Sequence, residues 1–266
     1  MINTENYMKF PGTDLFFSKK DTKRIKKMLG GKINIVSTVC PDYANDGKEY
    51  TFWGEIGAGV SMTMMQHWKV IPSFIEELRK LNCTCSWKIL LADLTNLTDS
   101  QKEFIKKVAG TNEEYLKRCQ ASADSIQNMI KNHGNVETFT KFYNRHGIEY
   151  SKIQQNTAKK VYDRSKDTDF RPRFESFALA RAPLSKKLWG GDLPKEGYEI
   201  AAACGISLYA THGTLMRHIY ANENLILINH STINLQNIFS CEFVPGYEHL
   251  QTYPKFPIGL FSGKFY

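Results

Sequence analysis

The run Lys32-Ile-Asn-Ile-Val-Ser-Thr38 constrains the fold more than any other stretch. Ile33, Ile35 and Val36 are β-branched, and the run is bounded by Gly30-Gly31 and by Pro41. β-Branched side chains sit well on a pleated surface, so this reads as a short buried strand. Gly54-Glu-Ile-Gly-Ala-Gly-Val-Ser61 follows and opens a long helical pattern over 61–81. There Met62, Met65, Trp68, Ile71, Phe74, Ile75 and Leu78 recur at helical spacing, a stripe that faces a core. Pro72 is expected to kink or divide this helix. A second apolar run, Trp87-Lys-Ile-Leu-Leu-Ala-Asp93, closes the unit. Strand, loop, helix, strand is a βαβ crossover, and ligands of such sheets sit at the strands' carboxyl ends. Chemistry is therefore sought beside Ser37, Asp93 and the helix start at Ser61.

The remaining chain fits one α/β domain spanning 1–266, with a mostly parallel sheet flanked by helices. Residues 1–30 read as an irregular aromatic arm and a basic helix, Lys19–Leu29, which Asp21 or Thr22 caps and Gly30 ends. Residues 99–188 read as helices, including one over Val136–His146 and one over Tyr150–Lys166. Gly205 and Gly213 interrupt a helix-rich stretch over Glu196–Tyr220. Asn224-Leu-Ile-Leu-Ile-Asn229 is a buried strand. The tail over 231–266 is irregular, with Cys241–Val244 as a candidate edge strand.

No apolar run reaches the roughly 18 residues needed to span a bilayer. Nor does the N-terminus pair a basic region with an apolar one, so a cytoplasmic protein is expected. The six cysteines include no Cys-x-x-Cys pair, and free thiols are expected. The formal charge of +8 raises the case for a polyanionic partner, because lysine and arginine displace counterions from phosphates. Basic residues concentrate in the helical region, where Lys106, Lys107, Lys117, Arg118, Arg171 and Arg173 are the candidate nucleic-acid contacts. Gly57 and Gly59 permit close approach of the backbone to a ligand just before a helix start, so they and Ser61 are candidate substrate contacts, as are Asp93 and Glu199. His212 and His230 are too dispersed to argue for a metal, and the reading calls for no cofactor.

The order of these parts resembles that of the tRNA-dependent cyclodipeptide synthases, a family with a Rossmann-like fold related to class I aminoacyl-tRNA synthetases. Of that family's Gly-x-Ser-x-x-Asn motif, Ile35-Val-Ser-Thr-Val-Cys40 keeps the serine. Of its Tyr-x-x-x-Glu motif, Tyr198-Glu-Ile-Ala-Ala202 keeps the tyrosine. A rival placement, Phe177-Ala-Leu-Ala-Arg181-Ala-Pro-Leu, matches the flanking residues and keeps neither. The family's Tyr-His pair is similar to Tyr209-Ala-Thr-His212, displaced by two residues. The resemblance implies an aminoacyl transferase forming a cyclodipeptide from aminoacyl-tRNA. Ser37 would accept the acyl group, and Tyr198, Tyr209 and His212 would position the amine. Without the family's glutamate, an acid or base must come from Glu199, Asp93 or His212. Two alternatives stay open. One is an amino-acid-modifying synthase resembling isocyanide synthases, binding a phosphorylated small molecule in the glycine loop. The other is a non-catalytic basic RNA-binding protein.

Overall fold

The structure is a computed structural model that describes residues 7–13, 15–39, 60–93, 111–189, 192–229 and 257–261. Its strands form one sheet. In chain order the elements are β1 (Tyr7–Lys9), β2 (Leu15–Ser18), α1 (Lys19–Met28), β3 (Lys32–Val39), α2 (Val60–Lys80), β4 (Thr84–Leu91), α3 (Asn112–Ile130), β5 (Asn135–Thr138), α4 (Phe139–Arg145), α5 (Tyr150–Arg164), α6 (Arg171–Trp189), α7 (Lys195–Ile219), β6 (Asn224–Asn229) and β7 (Ile258–Phe261). The sheet order is β1-β2-β7-β6-β3-β4-β5. Strands β7, β6, β3, β4 and β5 run parallel, and β1 and β2 close one edge antiparallel. This is an α/β Rossmann-like fold, as the crossover between β3 and β4 implies.

Strand β3 is central. It pairs with β4 from Lys32↔Thr84 to Val39↔Leu91 and with β6 from Ile33↔Asn224 to Ser37↔Ile228. Side chains alternate between faces along a strand, so β3 feeds two cores. Ile33, Ile35 and Val39 join Trp87, Ile89, Ile226 and residues of α1, α2 and α3 on one face. Val36 joins Leu90, Leu227, Phe139, Tyr143 and Leu215 under α4, α5 and α7 on the other. A third cluster, with Val161, Phe174 and Ile206, lies between α5, α6 and α7.

Several expectations change. The N-terminal arm contributes β1 and β2. Helix α1 is capped by Ser18, whose hydroxyl accepts from the Asp21 N–H at 3.0 Å, rather than by Asp21 or Thr22. Helix α2 continues through Pro72, and α7 continues through Gly205 and Gly213. Packing outweighs these local breaks: Ile71 and Phe74 of α2, and Leu215 and Met216 of α7, are fully buried. The expected helix over 136–146 splits into β5 and α4. Gly134 makes that possible, since a Cβ there would meet the Trp87 carbonyl at 2.9 Å as β5 comes alongside β4. The edge strand expected over 241–244 lies outside the described residues. In the tail, β7 runs between β6 and β2 rather than at an edge. Among the described residues no helix is long and apolar enough to cross a membrane.

Candidate active site

The chain leaves β3 toward β4 and β5 and later returns to its other side through β6 and β7. The gap between β3 and β6 is therefore the point where connections diverge, and parallel sheets bind ligands at its carboxyl edge. Ser37 and Thr38 lie at that end of β3.

The two hydroxyls face opposite ways because neighbouring strand residues alternate. Ser37 points with Ile35 and Val39 into the core under α2. It is wholly buried and accepts a 3.0 Å hydrogen bond from the Trp87 indole N–H. Thr38 is half-buried on the other face, where its hydroxyl shares a 2.8 Å hydrogen bond with His212 Nε2. His212 Nδ1 meets the Tyr143 hydroxyl at 2.8 Å. The imidazole also stacks on Phe139, with centroids 4.7 Å apart and planes 9° from parallel. Thr38, His212 and Tyr143 thus tie β3, α7 and α4 together. Burial pushes the His212 imidazole down to about 3, so the ring is neutral near pH 7 and can accept a hydrogen bond at one nitrogen.

Asp93 follows β4 at the same edge and is buried. Its carboxylate accepts from the Thr140 N–H at 2.9 Å, in the first turn of α4. Burial is the strongest influence on this carboxyl and raises it. The bonds from Thr140 and Thr138 pull the other way. Asp93 therefore holds the N-terminal turn of α4, which carries Phe139 and Tyr143 to His212.

The other candidates lie elsewhere. Tyr198 and His212 share α7, but fourteen residues at 1.5 Å each separate them by about 21 Å. One amine cannot sit against both. The Tyr198 hydroxyl donates to Asp192 at 3.2 Å, and Glu199 accepts from Arg171 at 2.6 Å. Both line a cavity of about 570 Å³ with Phe174 and Leu179 of α6. Tyr209 packs half-buried on the cluster between α5, α6 and α7. Arg171 is also bound to Glu175 at 2.7 Å, Lys117 pairs with Glu113 at 2.8 Å, and Arg173 lies over the Phe170 ring. Arg118 and Ser61 lie on α3 and α2, within the described backbone. Gly57, Gly59, Lys106, Lys107 and His230 lie outside the described residues.

Thr38, Tyr143 and Phe139 did not stand out in the sequence. Tyr143 carries one signal, as a polar-tipped ring on the inner face of a helix whose other inner residues, Phe139 and Phe142, are apolar. Among the described residues no group of three or more His, Cys, Asp or Glu could hold a metal.

The Ser37 arrangement leads to a stability prediction. Ser37→Ala removes the acceptor of a buried indole N–H, and an unpaired buried donor costs about 1–3 kcal/mol. Equilibrium urea unfolding is expected to show a loss of that size. A variant as stable as the parent would mean that the Trp87 bond contributes nothing.

No family model matches the chain, and no curated protein matches it. Solved structures do. A CDPS from Staphylococcus haemolyticus superposes with a TM-score of 0.46 at 16% identity, over 87% of this chain and 89% of that one. A cyclodipeptide synthase from Bacillus thermoamylovorans gives 0.48 at 15% identity, over 97% and 95%. The chain is structurally similar to cyclodipeptide synthases. Tyrosyl-tRNA synthetase of Leishmania major gives 0.32 at 10% identity, over 79% of this chain and 30% of that one.

Proposed function

We propose that the chain is an aminoacyl transferase that joins amino acids delivered by tRNA into a peptide-like product. The observation that carries this reading is the Thr38–His212 pair at the divergence point of a parallel sheet. A half-buried hydroxyl there meets a neutral imidazole at 2.8 Å. A hydroxyl, an acceptor within reach and a third group that orients the acceptor are the parts that acyl transfer needs. Tyr143 is the orienting group, at 2.8 Å from Nδ1. The motif resemblance placed the acyl acceptor at Ser37. In this reading the acceptor moves one residue along β3 to Thr38, the hydroxyl turned toward His212.

With the imidazole proton on Nδ1, toward Tyr143, Nε2 is free to accept from Thr38. Thr38 Oγ attacks the ester carbonyl of the aminoacyl group, and its proton passes to Nε2 as the O–C bond forms. The ribose oxygen leaves the tetrahedral carbon and takes that proton. Burial disfavours a standing imidazolium, so the proton passes through the ring without resting there. The amine of a second aminoacyl-tRNA then attacks the Thr38 ester, forming the amide as its proton goes to the departing Thr38 oxygen. The first residue's amine attacks the second ester, closing the ring while the second ribose oxygen leaves with that amine's proton. Tyr198 and Glu199, set apart from this centre along α7, have no part in that step. The basic residues of the 99–187 region hold the tRNA.

A second reading, a non-catalytic basic RNA-binding protein, draws on the same burial. A sealed Ser37 and an apolar-walled His212 are also what a purely structural crosslink requires. The readings separate on incubation with charged tRNAs followed by mass spectrometry of the products. A dipeptide or cyclic dipeptide supports transfer. Salt-sensitive tRNA binding with no such product supports the second reading and defeats the first.

A further inference from the structure

Helix α1 carries Lys19, Lys20, Lys23, Lys26 and Lys27, all exposed. At 3.6 residues per turn they fill one arc of about 120°. The opposite side holds Asp21 and Ile25, 3% and 1% exposed. The single acid of the helix is already committed: its carboxylate accepts from the Ser18 hydroxyl at 2.7 Å and from Arg24 at 3.0 Å. Among the described residues, none of the five lysines is drawn into an ion pair.

The fold does not ask for this arrangement. Ile25 and Met28 anchor α1 to the core, and Ser18 caps it. Lysines at three- and four-residue spacing repel one another. Lys19 and Lys20 also stand in the first turn, where the helix dipole disfavours positive charge. Lys19, Lys23 and Lys26 climb successive turns, about 5.4 Å apart, without an intervening acid. That is a row of cations for a row of anions. A membrane-surface helix would set exposed apolar residues beside its lysines, and the apolar residues of α1 point inward.

We propose that the lysine face of α1 docks on the phosphate backbone of RNA. Helix α1 links the end of β2, which is antiparallel to β7, to the start of β3, so it sits at the amino edge of the parallel strands. The eight residues of β3, about 26 Å at strand rise, separate it from Thr38's end of the sheet. A tRNA is long enough to touch both edges. The α1 contact would then hold part of the molecule remote from the acceptor end. This inference rests on RNA being the amino acid's carrier.

The test uses the full chain, uncharged bulk tRNA and a series of KCl concentrations. Wild type is compared with K19Q/K23Q/K26Q. Each phosphate contact contributes about 0.7–0.9 to the slope of log Kobs against log salt. The variant is expected to lose about two from that slope and at least tenfold in affinity at the lowest salt. Its unfolding midpoint is expected to be unchanged or higher, because repulsion is relieved. An unchanged slope overturns the proposal. So does a wild type that ignores tRNA, or one that binds phosphatidylserine vesicles or an acidic polypeptide through these lysines in preference to tRNA. Product formation is read separately. A wild type that grips tRNA through α1 yet makes no product defeats the transferase reading and leaves the α1 contact standing.

Discussion

Thr38→Val is expected to abolish product formation from aminoacyl-tRNA, lowering the rate by at least a thousandfold. Valine has nearly the shape of threonine and keeps the β-branch that suits a strand, so β3 pairs as before. What disappears is the oxygen 2.8 Å from His212 Nε2. Loss of the attacking atom removes the covalent route altogether, whereas loss of a positioning group would leave a slowed reaction. Ser37→Ala is the control. The Ser37 hydroxyl has no exposed surface and faces Trp87, so this variant should keep most of its turnover at a temperature where it stays folded. The two variants alter adjacent residues, which makes the contrast sharp. Single-turnover kinetics with a labelled aminoacyl-tRNA would measure it. A Thr38→Val enzyme with near-normal turnover, beside an inactive but folded Ser37→Ala enzyme, would restore the serine as acceptor.

His212→Ala is expected to produce the largest loss of stability, about 3–5 kcal/mol. The ring is 2% exposed, stacks on Phe139 and joins hydroxyls from β3 and α4. Its removal leaves a cavity and also deprives both hydroxyls of a partner. Acidity adds a second signature. Burial lowers the His212 value to about 3 from an ordinary 6.5. Between those values the unfolded chain takes up a proton that the folded chain refuses. The stability held by the neutral ring is complete above about pH 6.5 and falls by up to about 1.4 kcal/mol per pH unit below it. Asp93 acts in the opposite sense. Its raised carboxyl protonates in the folded chain before it does in the unfolded one, which relieves a burial penalty as pH drops. Comparison with His212→Gln isolates the histidine. The stability gap between the two proteins should narrow as pH falls from 7 to 4, as measured by urea unfolding at each pH. Parallel curves would mean that the imidazole titrates in the fold as it does in water.

The parts of the fold that the sequence revealed are those whose local chemistry agrees with their surroundings. Strands β3 and β6 are dense in isoleucine, leucine and valine because both of their faces are covered. Strand β5, Asn135-Val-Glu-Thr138, has one apolar residue and takes its extension from pairing with Lys88–Leu91, which no local window contains. Pro72, Gly205 and Gly213 look like breaks, yet α2 and α7 run through them because sheet and neighbouring helices hold each segment in place. The site was half legible for a related reason. The carboxyl end of β3 was identifiable as the sheet edge to inspect. Alternation along β3 puts Ser37 with Ile33 and Ile35 and Thr38 with Asn34 and Val36, but nothing in that pattern tells which face meets His212, 174 residues further on. Tyr198 and Tyr209 were grouped with His212 through the motif resemblance. A continuous α7 sets Tyr198 about 21 Å from His212 along one rod and keeps Tyr209 one turn away.

If the proposed transfer runs through a hydroxyl at position 38, that oxygen carries the acyl group between two tRNA-borne amino acids. Rapid quenching of the protein with a labelled aminoacyl-tRNA, followed by proteolysis and tandem mass spectrometry of the peptide spanning Lys32 to Val39, would trap the intermediate. An ester-linked aminoacyl mass is expected on Thr38 and is expected to be absent from Thr38→Val. The same mass on Ser37, or no covalent mass anywhere while product accumulates, would contradict it.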